Sequence, residues 1–133
     1  MAGTLRVKRV YDPVEQSDGF RVLVDRLWPR GLKKETARID LWLKDIGPSD
    51  ALRKWFGHNP ERFATFNERY RKELKVNPAT LGQLLEVVRQ HSVVTLVYGA
   101  RDRECNHAVV LREFVEALLR AQMPTTRRKH LHP

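Results

Sequence analysis

A chain of 133 residues, 41% hydrophobic and 31% charged, is long enough to bury a core without staples and short enough to form one domain. No apolar run approaches the roughly 20 residues of a membrane span, and Arg6, Lys8 and Arg9 crowd the start where a secretory leader would need an apolar core, so the cytoplasm is the expected location. A single cysteine, Cys105, excludes an internal disulfide framework, while 25 Lys plus Arg against 16 Asp plus Glu give a formal charge of +9. That field attracts phosphates, nucleic acid or anionic metabolites without saying which.

In chain order, Leu5, Val7, Val10 and Tyr11 with charged residues between them predict a first strand, closed by turn chemistry from Asp12-Pro13 to Asp18-Gly19. Phe20 to Asp25 predicts a second, ending in VLVDRLWPRG, Val22 to Gly31. Pro29 fixes its own φ and keeps Trp28 out of the helical region, and Gly31 permits positive φ, so Arg26 and Arg30 sit on a held turn. After the polar stretch Lys33 to Arg38, alternation of Ile39, Leu41 and Leu43 favours a third strand, with a short helix as the alternative.

Gly47-Pro48 breaks that segment, and Ser49 caps a helix from Asp50 to about Phe56 with Leu52, Trp55 and Phe56 as its apolar stripe. Asn59-Pro60 starts the clearest amphipathic helix, carrying Phe63, Phe66, Tyr70 and Leu74. Asn77-Pro78 starts another, with Leu81, Leu84, Leu85 and Val88, ending near His91. Val93 to Tyr98 is apolar on both faces, as in a central parallel strand. Asn106 then caps a long helix to about Ala121. These elements define an α/β fold: a single compact domain over 1–122, with a short, at least partly parallel sheet of about four strands packed against four or so helices. Residues 123–133 read as a basic tail with too little apolar content to fold alone.

Two strands end in charged loops, Asp25 and Arg26 after one and Tyr98, Arg101 and Asp102 after the other. If the strands are adjacent and parallel, the loops share a cleft at their carboxyl ends, where the second also feeds a helix N-terminus suited to an anion. Arg26, Arg30 and Arg101 would clamp that anion. Asp25 or Asp102 would orient it or accept a proton, with His58 or Lys44 assisting. The alternative is structural: Asp25 buried in an ion pair, with Arg101 as the candidate partner. Cys105, near a helix start beside Arg101 and Arg103, would be a nucleophile only if its pKa were lowered. His58, His107, Asp25, Asp102 and Cys105 match no local metal-site spacing, so no metal or other cofactor is predicted. Trp28, Trp42 and Trp55 sit at apolar-patterned positions that favour packing over base stacking.

The runs LVDRLWPRGLKKE, WLKDIGPSDALRKWFGH, ERYRKEL and TLVYGARDRECNHAVVL, in this order, resemble the DUF488 family, a domain of unknown function, in its short YeaO-like branch. The resemblance covers roughly Val7 to Leu119. It implies a compact α/β domain of bacterial or archaeal type with no established activity. Family positions match Asp25, Arg26, Trp28, Pro29, Arg30, Gly31, Trp42, Lys44, Pro48, Ser49, Arg53, Phe56, His58, Tyr70, Tyr98, Asp102 and Asn106, while Cys105 stands where a polar residue is usual.

The expected function is binding of an anionic, phosphorylated or nucleotide-like small molecule in an Arg-lined cleft, with turnover undecided. Its ligand-binding set is Arg26, Arg30, Lys44, Arg53, Tyr98, Arg101 and Asn106, and its candidate catalytic set is Asp25, Asp102, His58 and Cys105. The alternatives are a nucleic-acid-binding or regulatory module using the basic surface, and a partner-binding scaffold with an exposed apolar patch. The helix pair from Pro60 and Pro78 offers a groove only Gln83, Arg89 and Gln90, too few for a reading helix. Oligomeric state is not legible in the sequence.

Overall fold

The computed structural model describes residues 3–122. Its centre is a sheet of four strands, β1 (Thr4–Arg9), β2 (Phe20–Leu23), β3 (Leu41–Trp42) and β4 (Val93–Tyr98), in the order β1-β4-β2-β3 with every pairing parallel. The helices are α1 (Lys34–Ala37), α2 (Asp50–Phe56), α3 (Phe63–Lys75), α4 (Pro78–Gln90) and α5 (His107–Ala121). The basic tail expected over residues 123–133 lies outside the described residues.

Strand alternation divides the core. Leu5, Val22, Val94, Leu96 and Tyr98 face one side, where they meet Phe66, Tyr70, Leu74, Leu84, Val88, Leu111 and Val115 of the long helices. Leu23 and Val97 face the other side and join Val10, with Trp28, Leu32 and Ile39 packed on them. β4 is therefore buried on both faces, as its unbroken apolar run predicts.

The return from β1 to β2 crosses this second face over residues 10–19, and charge rather than apolar surface seals it. Arg21 and Asp18 are each 2% exposed and meet at 2.6 Å, Lys8 Nζ lies 2.9 Å from the same carboxylate, and Thr95 Oγ1 donates to Asp18 O. The Arg21 guanidinium spends its remaining donors on the carbonyls of Ala37 and Arg38, which anchors α1. Gly19 makes the tight approach possible: its φ is +65°, and a Cβ there would lie 2.3 Å from Val93 O.

Cap chemistry places the helices. Ser49, Asn59 and Asn106 accept from Leu52 N, Glu61 N and Val109 N. The segment after Asn59 opens as a 3-10 turn over Pro60–Arg62 and becomes α-helical at Phe63. The third strand is shorter than its alternation suggests. Ile39 packs on the second face while Leu41 and Leu43 join the main core, so Ile39 precedes the strand, and a 3-10 turn takes over at Lys44. The helical turn α1 carries no apolar periodicity; it closes at Arg38, in the left-handed region at φ 52°.

Candidate functional site

β2 and β4 are neighbours whose chains leave toward opposite faces: β2 runs on to Leu32, α1 and Ile39 beside the second face, β4 to α5 on the main-core face. A crevice opens between such strands at their carboxyl ends. There a hollow of about 400 Å³ is lined by the 25–30 turn, Gly99 and Ala100 after β4, Asn106 and His107 at the start of α5, and Pro48, Arg53, Phe56, His58 and Phe66 from the helical side.

Asp25 ties the crevice together. Its Oδ2 accepts the Gly99 N–H at 2.9 Å, and a Cβ on residue 99 would stand 3.0 Å from that oxygen, so the loop after β4 approaches this closely because it is glycine. Oδ1 lies 3.1 Å from His107 Nε2, which is also 3.1 Å from Val24 O. The Val24 carbonyl can only accept and so requires a proton on Nε2, while Asp25 Oδ1 is buried without a hydrogen-bond partner among the described residues. The side chain facing Asp25 is His107, not Arg101. Arg101 is exposed and does not line the hollow, whereas Arg53 lines it from the helical side.

Arg26 lines the hollow with its guanidinium committed to Pro48 O and Gly47 O, both at 2.9 Å, a strut between the turn and the start of α2. Arg30 is exposed, and Tyr11 Oη donates to its carbonyl at 2.6 Å, bracing the turn. Arg53 reaches Asp50 at 3.4 Å, and its Nε is buried without a hydrogen-bond partner among the described residues. His58 is exposed beside the left-handed Gly57 that ends α2, itself at φ 58°.

The other expected site residues lie elsewhere. Asp102 accepts the Cys105 and Glu104 N–H groups, which hold its carboxyl below the ordinary range, and so shapes the loop rather than the hollow. Burial, with Asp102 and Glu104 adding to it, pushes the Cys105 thiol up, the reverse of an activated nucleophile. Alkylation of Cys105 by iodoacetamide is expected to keep accelerating as pH rises past 9; a plateau near pH 7 would show a low-pKa thiolate. Lys44 lies exposed 5.6 Å from the Trp42 ring centroid, and Tyr98 belongs to the core. The indoles are engaged structurally: Trp28 and Trp42 meet edge to face and donate to Leu32 O and Asp25 O, while Arg62 and Arg69 lie over Trp55. Among the described residues no three His, Cys, Asp or Glu side chains gather as a metal ion requires, and no helix is long and apolar enough to cross a membrane.

Among the lining residues outside the expected ligand-binding and catalytic sets, His107, weighed in the sequence only as a metal ligand, is the one that faces Asp25. The register of α5 held the only signal for His107, since a capping Asn106 puts residue 107 at the helix start, facing the strand ends.

Fold and hollow together define a small parallel-sheet α/β domain with a cation-rimmed crevice at the carboxyl ends of its strands. The chain belongs to the DUF488 family: the model described as "Inactive DUF488-N3 subclade" matches residues 4–131. It is 45% identical over 114 residues to the uncharacterized protein YeaO of Escherichia coli K12, covering 86% of this chain and 98% of that protein. It is 44% identical over 111 residues to the uncharacterized proteins Mb3100c of Mycobacterium bovis and Rv3073c of Mycobacterium tuberculosis, covering 84% of this chain and 92% of each. No solved structure matches the chain.

Proposed function

We propose that this protein binds an anionic small molecule in the crevice between β2 and β4 and does not turn it over. The observation that carries the reading is convergence: Arg30, Arg53 and His58 line the same hollow as the start of α5, against one carboxylate, Asp25, whose oxygens already face Gly99 N and His107 Nε2. Unpaired N–H groups at a helix start and guanidinium side chains both favour negative charge. The absence of turnover is supported by the raised Cys105 thiol, by an Asp25 engaged in holding the loops, and by the word "inactive" in the description of the matching subclade.

Thermal unfolding with inorganic phosphate tests it. A ligand at a hundredfold its Kd stabilises the fold by about 2.7 kcal/mol. Wild type is expected to show a phosphate-dependent rise in Tm, and Arg30→Ala to need about tenfold more phosphate for the same rise, the equivalent of about 1.4 kcal/mol. Arg30 is exposed and its side chain enters no salt bridge among the described residues, so the substitution should leave the ligand-free Tm near that of wild type. Equal responses from the two proteins would remove the crevice as the binding site.

A further inference from the structure

The crevice already holds a carboxylate. The Asp25 side chain is 18% exposed, and its Oδ1 is buried without a hydrogen-bond partner among the described residues. A buried charge left uncompensated is costly, and a second negative group in the same hollow adds to that cost. The guanidinium groups of the hollow do not offset it: Arg26 is committed to the Gly47 and Pro48 carbonyls, and among the described residues neither Arg30 nor Arg53 pairs with Asp25. The side chain that faces Oδ1 is His107, at 3.1 Å and 13% exposed. Its Nε2 proton is fixed by Val24 O, so Nδ1 is where the ring would gain a second one. On the α3 side Tyr70 meets the ring edge-on, its hydroxyl raised well above the ordinary range by burial, and Glu73 is taken by Ser49. In the loop before α5, Asp102 is held low and Cys105 pushed up. Arg53 and His58 stand on the helical side of the hollow. The side chains in this set that ordinarily titrate between pH 6 and pH 8 are the two imidazoles.

Resting on the anion-binding reading above, we infer that the crevice takes up its anion together with a proton, which comes from solvent and is carried on His107 Nδ1. The Nε2 proton stays on Val24 O, and the charged ring faces Asp25 Oδ1 while lining the hollow that the anion enters. One positive charge then lies beside two negative groups. His107 is the first residue of α5, where the helix dipole opposes a cation, and an anion in the hollow relieves that opposition. Coupling of this kind is reciprocal: the anion favours the proton by the same factor as the proton favours the anion. His107 thus sets affinity and its pH dependence, whereas Arg30 and Arg53 supply attraction at every pH.

Calorimetric titration of the full chain with sulfate at pH 6 and pH 8 reads this coupling, because sulfate remains a dianion across that range and phosphate does not. Wild type is expected to bind sulfate about tenfold more tightly at pH 6, the factor that corresponds to about one pH unit of linkage. At pH 7 the heats in two buffers of different ionisation enthalpy should show proton uptake on binding. His107→Gln is expected to bind equally at both pH values, and His58→Gln to bind more weakly than wild type yet keep the ratio. In wild type at pH 7 the side-chain NMR signals of His107 should move toward those of the charged ring as sulfate is added, a readout that needs no variant to fold. Equal affinity at pH 6 and pH 8 in wild type, a ratio that survives in His107→Gln, or a His107 ring unmoved by sulfate would overturn the linkage and leave the anion site standing. Failure of sulfate to bind at either pH would overturn the anion site and the inference with it.

Discussion

Asp18→Ala is expected to destabilise the fold by about 3–5 kcal/mol, the range for stranding one charge of a buried pair. For a domain of this size that is a large share of the roughly 5–15 kcal/mol separating folded from unfolded chain. The corresponding fall in Tm is roughly 10–20 °C. The reason is local: Arg21 is as buried as Asp18, and removal of the carboxylate leaves a guanidinium under the crossover with only the Ala37 and Arg38 carbonyls, while Lys8 keeps Glu15 alone. Burial by itself would raise the Asp18 pKa, but hydrogen bonds from Glu15 N, Lys8 and Arg21 outweigh it and hold the carboxyl below its ordinary value. A depressed carboxyl contributes stability above its unfolded pKa, near 4, and loses it as pH falls through the lower folded value. Denaturation of wild type and Asp18→Ala should therefore differ most at neutral pH and converge toward pH 2. A gap that stayed constant with pH would mean that the ion pair is not its source.

Phe66→Ala joins core and site. Phe66 is almost fully buried, stacked on Phe56 and packed against Tyr70 at 5.7 Å, so its loss is expected to cost about 3–5 kcal/mol in urea unfolding. The same ring forms the inner wall of the hollow. A loss under about 1 kcal/mol would show that this stack does not hold the core together.

The four longer helices and the two central strands were legible because period and punctuation agree in them: Ser49, Asn59 and Asn106 accept the cap bonds that their positions promise, and VVTLVY has no polar face to turn outward. The second face was not. An arginine alternating with Phe20 and Val22 carries the pattern of a solvent-facing position, and Asp18-Gly19 that of a turn; only the path of residues 10–19 across the sheet buries the two charges against each other. The site was half legible for the same reason. Spacing located the two loops and their shared edge, but not side-chain direction, so Arg101 lies outside the hollow while Arg53, from a helix distant in sequence, lines it. His107 was visible in the sequence, but its link to Asp25 arises from the packing of α5 onto β4, which no local motif encodes.

The most direct test of the crevice is a residue-resolved one, a titration of the 15N-labelled chain with inorganic phosphate followed by amide chemical shifts. The account predicts saturable changes concentrated at Leu27, Arg30, Gly99, Ala100 and His107, all in the loops that meet at the carboxyl ends of β2 and β4. Changes centred instead on Arg62, Arg69 and Lys72 along the outer side of α3, or spread without saturation over the basic surface, would contradict it.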